Sequence, residues 1–352
     1  MPLFNAVGGS SAPRATYEYE ILKWTQTTLP TSATTWYSVT YGNGKFVAIA
    51  GNSNISAYST DGITWTQSTL PTTAKWQSIT YGNGKFVAVA SSSNISAYST
   101  DGINWTQTTL PVSRNWMSIT YGNGKFVVVA YNTSAYSEDG VNWTQTTLPT
   151  SADDWRSITY GNGKFVAVAY DYNFSAYSTD GINWTQTTMP TTAWWMSITY
   201  GNGKFIAVAN KSNISAYSTD GINWTHSTLP TSTYWKSITY GNGKFVAVAH
   251  GSNFSAYSTD GINWTQTTLP TSTNWYSVTY GNGMFIAVAY GSNVSAYSTN
   301  QTTKSSVKAF DYLDTDSDST PDTYRYNGDT LYVSNDVEIV NYNDLLTSIN
   351  NS

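Results

Sequence analysis

The tetrapeptide Tyr-Gly-Asn-Gly recurs with its tyrosine at Tyr41, Tyr81, Tyr121, Tyr160, Tyr200, Tyr240 and Tyr280, a spacing of 39 or 40 residues. A fixed period of this size makes each copy one small unit that cannot bury its apolar surface alone, so neighbouring copies must stack. Two tryptophans keep the same period, one at Trp24, Trp65, Trp105, Trp143, Trp184, Trp224 and Trp264, the other at Trp36, Trp76, Trp116, Trp155, Trp195, Trp235 and Trp275. Of the 15 tryptophans only Trp194 lies outside both series.

Each period holds four short stretches with strand-like alternation, here named a (Trp-x-Ser-Ile-Thr-Tyr), b (Phe-Val-Ala-Val-Ala), c (Ser-Ala-Tyr-Ser) and d (Asn-Trp-Thr-Gln-Thr-Thr). Asn43-Gly44 joins a to b and Asp61-Gly62 joins c to d, two dipeptides that tolerate positive φ and predict tight hairpins. Leu29-Pro30 and Leu70-Pro71 mark where strand d is expected to stop, because proline cannot donate to a ladder. No stretch carries helical apolar spacing over three turns.

Antiparallel four-stranded units of roughly 40 residues, repeated four to eight times, predict an all-β fold, a seven-bladed β-propeller over residues 17–300. An open solenoid would need atypical capping copies at its ends. Here the ends complement each other: Tyr19 to Thr28 reads as a lone strand d, and the last copy stops at Thr299 without one. An N-terminal strand closing the last blade would remove the open edge and place Trp24 near Tyr297.

Composition narrows the chemistry. Charged residues make up 11% of the chain and the net charge is -5, which argues against a nucleic-acid surface. There is no cysteine, and the two histidines are His226 and His250, so thiol chemistry, zinc-thiolate sites and most histidine-based acid–base schemes lack their residues. The chain is therefore expected not to be an enzyme and to need no cofactor, calcium excepted. No run of 18 apolar residues is present, which predicts no membrane insertion, and Met1 to Arg14 do not read as a secretory signal.

Differences between copies locate a binding surface. The a–b and c–d turns are nearly invariant. Variation gathers in the d–a connections, at Lys75, Arg114, Asp153, Asp154, Trp194 and Tyr234, and in the b–c connections, at Tyr170, Tyr172, His250 and Tyr290. Both sets fall on one face of a propeller. Solvent-loop drift would produce variation too, but exposed rings beside Asn, Asp and Lys suit a sugar, whose C–H face packs on an aromatic while its hydroxyls pair with polar groups.

Flanking segments differ from the repeat. Residues 1–16, with Gly8-Gly9-Ser10-Ser11, read as a flexible arm. Residues 301–352 carry nine acids and three bases, and Thr330 to Val333 and Val337 to Val340 read as strands. Within this segment Asp314, Asp316, Asp318 and Asp322 resemble an oxygen-rich calcium loop, although Ser319 and Arg325 stand where such a loop has glycine and a bidentate glutamate. A calcium site and a solvated acidic loop both fit.

The corner Ser99-Thr100-Asp101-Gly102-Ile103-Asn104-Trp105 resembles a shortened Asp box, the hairpin motif of sialidases and other propellers, in which the aspartate holds a turn. The chain's four arginines, Arg14, Arg114, Arg156 and Arg325, do not make a sialidase carboxylate cluster. Tyr-Gly-Asn-Gly-Lys-Phe-Val-Ala-Val-Ala followed by Ser-Ala-Tyr-Ser-Thr-Asp-Gly-Ile-Asn-Trp-Thr is similar to the propeller repeats of bacteriophage tail and virion proteins, over about Tyr19 to Asn300. The resemblance implies a non-enzymatic component exposed on the virion surface, with other virion proteins as partners, and the exposed aromatics on one face favour adhesion to a host-surface glycan as its task. Structural decoration of the particle and a secreted bacterial lectin-like adhesin are the alternatives.

Overall fold

The computed structural model describes residues 16–150, 152, 154–306, 311–313, 323–326 and 329–332, and their regular structure is entirely β. The chain divides into two compact units, Leu22–Asn300 and Met1–Ile21 with Gln301–Ser352. In the smaller unit, Asp311–Leu313, Thr323–Tyr326 and Asp329–Tyr332 form an antiparallel sheet. The last strand overlaps the one expected from Thr330. The strand expected at Val337 to Val340, the residues before Thr16, and Asp314, Asp316, Asp318 and Asp322 lie outside the described residues.

In the larger unit each copy folds as a, b, c and d in antiparallel order. The second copy is typical: the Trp76 end of Thr66–Gly82 pairs with Lys85–Ser91, which pairs with Ser93–Ser99, which pairs with Thr106–Arg114. The a–b turn has Asn43 at φ 46° and Gly44 at φ 73°, the doubly left-handed turn whose twist matches a hairpin. The c–d corner differs from the expected two-residue hairpin. Only Gly62 is left-handed there (φ 72°), and side chains hold the rest. The Asp61 carboxylate accepts the backbone N–H groups of Ile63 and Thr64 at 2.9 and 2.8 Å, while Ser59 Oγ accepts that of Gly62 at 2.8 Å. The aspartate serves its own turn.

Strand d ends before Leu29-Pro30 and before Leu148-Pro149, as expected, but in most other copies it does not end there. Thr66–Gly82, Thr185–Gly201, Thr225–Gly241 and Thr265–Gly281 each run from d into the next a as one extended segment with the proline inside. The ladder does break: Ile55 pairs with Thr69, and the next partners are Ser53 and Ala74. Proline's fixed φ suits extended chain while its missing N–H falls in the unpaired gap, and Leu70 is buried.

The core lies between copies. Alternation along strand b sends Phe86, Ala88 and Ala90 to one neighbour interface and Val87 and Val89 to the other. Each interface holds a fully buried second-series tryptophan, such as Trp76 against Val47 and Ile49 of the preceding copy. First-series tryptophans pack beside the tyrosine of the preceding copy's c strand, Trp105 with Tyr58 and Trp143 with Tyr98. Trp65 accordingly shares a cluster with Tyr297 of the last copy, and Trp24 shares one with Tyr257. The expected Trp24–Tyr297 pairing was thus misplaced by one copy, because this ring bridges backward across the interface.

Other contacts repeat in the same way. A Cβ on Gly42 would lie 2.0 Å from the Tyr81 ring, and one on Gly281 would lie 2.1 Å from the Tyr41 ring, so the last copy meets the first as the first meets the second. Likewise Ile79 N donates to Ser38 Oγ at 3.3 Å and Val39 N donates to Ser277 Oγ at 3.2 Å. At the N-terminal strand, Trp24 Nε1 donates to Ser255 Oγ at 3.1 Å, Ser298 Oγ donates to Lys23 O at 2.8 Å, and Leu29 N donates to Asn293 O at 2.8 Å.

Candidate functional site

Every a strand carries a register shift between its tryptophan and its serine, at Trp36/Ser38, Trp76/Ser78, Trp116/Ser118, Trp155/Ser157, Trp195/Ser197, Trp235/Ser237 and Trp275/Ser277. The intervening residue is the extra one of a β-bulge, a device that re-aims a side chain. These positions hold Tyr37, Gln77, Met117, Arg156, Met196, Lys236 and Tyr276. The a strands of successive copies touch one another, the last touching the first, so the bulges line one rim.

At that rim Lys236 Nζ sits 4.0 Å from the centroid of the Tyr276 ring. Tyr276 meets Tyr37 edge-on at 4.9 Å, Tyr290 at 5.8 Å and His250 at 6.5 Å. Gln77, buried, hydrogen-bonds to Tyr276. Desolvation, followed by repulsion from Arg156, brings the Lys236 ammonium down to about 7. Although the ammonium is crowded by protein, the side chain remains half-buried with part of its surface open at the rim. Burial likewise holds His250 below the ordinary histidine range, with Lys236 adding to the effect. Tyr37 is pushed up to about 12, first by burial and then by Tyr276 and Tyr290. The rim thus offers a lysine and a histidine that lose their protons more readily than usual, beside tyrosines that keep theirs.

A second group adjoins it. Arg156 donates to Asp154 at 2.7 Å and lies 4.7 Å from the Tyr170 ring. Tyr170 stacks on Trp194 at 5.2 Å, Trp194 Nε1 donates to Asp171 at 2.9 Å, and Lys211 Nζ stands 3.8 Å from the indole and 5.9 Å from Tyr234. Asp171 (φ 62°) and Lys211 (φ 55°) are both left-handed, a strained state for such side chains at about 1–2 kcal/mol each.

Backbone pairing brings the variable d–a and b–c positions together: Lys75 opposite Gly51, Tyr170 opposite Trp194, Tyr234 opposite His250, Asn274 opposite Tyr290, and Asp154 bridged to Tyr131. The expected residues divide by role. Asp154, Tyr170, Trp194, Tyr234, His250 and Tyr290 belong to the two groups above. Lys75 is exposed and contributes charge near Tyr276. Arg114 bonds its neighbour Ser113 at 2.9 Å and lines an open depression with Asn115 and Tyr131. Tyr172 stacks on Phe174 and packs against the core. Asp153 lies outside the described residues. Trp194 is not a free loop tip: its ring and N–H are engaged, and Tyr234, at 47% exposure, is the more open ring. Reading the repeat by its shared residues passed over Gln77, Arg156, Lys236 and Tyr276. Their signal was the x of Trp-x-Ser, which differs between most copies.

No protein-family model matches the chain, and no curated protein matches it significantly by sequence. Solved structures do. A streptogramin B lyase superposes with a TM-score of 0.72 at 17% identity, covering 80% of this chain and 98% of that one. A catalytically inactive virginiamycin B lyase from Staphylococcus aureus, determined with quinupristin, gives 0.72 at 19% identity over 79% and 99%. YCF48 bound to D1 peptide gives 0.65 at 17% over 83% and 100%. The fold is an all-β propeller. At these identities the likeness shows fold alone, yet it corrects one expectation. The chain was expected not to be an enzyme because it is poor in histidine and lacks cysteine, and the lyases show that this propeller fold carries catalysis. Composition is a weak guide because a propeller gathers single residues from neighbouring copies. Lys236, His250 and Tyr276 meet although the chain is sparing of such groups.

Proposed function

We propose that this propeller has seven blades closed by the N-terminal strand, and that it binds a host-surface glycan at the rim where the d–a and b–c connections meet. The observation that carries the binding reading is the segregation of variation: rings and charges that depart from the repeat collect on one rim, whereas the Asn-Gly and Asp-Gly turns recur almost unchanged. Contacts that join the last copy to the first by the pattern joining the others support closure. Placement on a bacteriophage virion, among other virion proteins, rests on the resemblance of the repeat phrase.

The test is binding of the intact protein to host cells and purified host polysaccharide. Tyr234→Ala and Trp194→Ala should weaken attachment while the melting curve holds. Normal attachment by both variants, together with failed particle assembly, would replace adhesion by structural decoration.

An enzymatic reading of the same rim is favoured by Lys236, whose ammonium titrates near neutrality beside a protonated Tyr276, a pairing suited to proton transfer. Shortening of the bound polysaccharide that depends on Lys236 would select it. A polysaccharide of unchanged length would eliminate it.

A further inference from the structure

Lys236 forms no hydrogen bond or ion pair among the described residues; its one close partner is the face of Tyr276 at 4.0 Å. Arg156 spends one guanidinium nitrogen on Asp154 at 2.7 Å, while its Nε is buried without a partner. Two cationic groups near enough to repel each other therefore present unsatisfied donors, in a chain whose net charge is -5. A buried donor left unpaired costs about 1–3 kcal/mol, and more when charged, which applies to Arg156 Nε, while Lys236, partly open at the rim, is left without an acceptor from the protein.

We propose that Lys236 and Arg156, with Gln77 and the Tyr276 ring, form a binding site for a carboxylate group, of the kind carried by a uronic-acid residue in an acidic polysaccharide. The proposal rests on the glycan reading and names its class. Charge calls for an anion, since Lys236, Arg156 and the nearby Lys75 outnumber the Asp154 carboxylate, and the rings beside them favour a carboxylate carried on a sugar over inorganic phosphate. The Tyr276 and Tyr37 rings beside the cations offer the flat surface that the C–H face of a sugar ring covers. Met117 and Met196 fill the same bulge position in other copies, so the fold does not itself require charge there.

Protonation couples to binding. A carboxylate pairs with the ammonium form of Lys236, so affinity is present below about 7 and is lost as the pH rises through it. Of the other groups facing this ammonium, burial favours the neutral form of His250 and the protonated form of Tyr276.

Calorimetric titration of the intact protein with trigalacturonate, its methyl ester and inorganic phosphate tests the site. Trigalacturonate should bind about tenfold or more tightly at pH 6 than at pH 8.5, and its uncharged ester should bind weakly at both. Lys236→Met and Arg156→Met, which install the residue that other copies already carry, should each lose about tenfold in affinity and melt like the parent. Lys236→Arg should bind at pH 6 and keep that affinity at pH 8.5. Equal binding of acid and ester, or unchanged affinity in Lys236→Met, overturns the carboxylate site. Tighter binding of phosphate than of trigalacturonate also overturns it. Binding of neutral host glycan without trigalacturonate would leave the adhesion reading standing and this one refuted; binding of neither would refute both.

Discussion

Gly201 is extended backbone, not left-handed, and yet a Cβ there would lie 2.0 Å from Cγ of Tyr240 in the next copy. Carbon atoms in contact prefer about 3.5–4.0 Å, so no small adjustment absorbs the overlap. Either Tyr240 swings out of its place against Phe245, where the rings are 4.7 Å apart, or the two a strands separate. Overpacking costs about 1–3 kcal/mol, and displacement of the half-buried ring adds to it, so Gly201→Ala should destabilise by about 2–4 kcal/mol. Gly203 is the control, because it is left-handed at φ 73° but has nothing within 4 Å of an added Cβ. Gly203→Ala should therefore cost only the backbone strain, about 1–2 kcal/mol. The mutant cycle with Tyr240→Ala in urea denaturation is decisive: removing the ring removes the clash, so the double variant should resemble Tyr240→Ala, with a coupling of 1 kcal/mol or more. Additive losses, or a smaller effect at Gly201 than at Gly203, would refute the close approach as the reason for the first glycine of Tyr-Gly-Asn-Gly.

Trp195 is fully buried whereas Trp194 stands at the rim; Trp195→Ala should cost about 3–5 kcal/mol in thermal denaturation and Trp194→Ala well under half of that, with equal losses exposing a misread register. The Asp61 carboxyl is held down to about 2 chiefly by the Ile63 and Thr64 N–H groups; Asp260 also lies at about 2, where N–H bonds from Ile262 and Asn263 outweigh an opposing desolvation. A depressed carboxyl stabilises the fold above its unfolded value near 3.8, so the urea midpoint should vary little in this respect between pH 7 and 4 and fall as pH drops toward 2. A midpoint insensitive to pH in that acid range would show that the corner hydrogen bonds do not contribute. Deleting residues 1 to 28 removes Trp24 and its bond to Ser255, exposes the strand of Val294, and should cause aggregation or a large loss of melting temperature; unchanged melting would reject closure by the N-terminal strand.

The strands and the a–b turn were legible because Asn-Gly chemistry and period-2 alternation act locally, over a few residues. The Leu-Pro signal was read too strongly, since it reports the missing N–H and not the path of the chain. Tyr41 and Gly42 were visible only as a motif; their partnership across copies is a tertiary fact that no single copy displays. The rim residues were hidden for a related reason. Lys236 and Arg156 lie 80 positions apart in sequence, and each occupies a bulge that strand alternation does not foresee. Aromatics at the connections pointed to the rim proposed as the binding surface, but the contacts of Trp194 and Tyr172 differ from those of free loop tips.

The central claim is that ligand meets the rim of the Trp-x-Ser bulges and not the opposite turns. Hydrogen exchange of the intact protein with and without host polysaccharide tests this directly. Protection should appear in peptides containing Gln77, Arg156, Trp194, Lys236 and Tyr276, with the Asn43-Gly44 and Asp101-Gly102 turns unchanged. Protection centred on those turns, with the bulge peptides exchanging as before, would contradict the account.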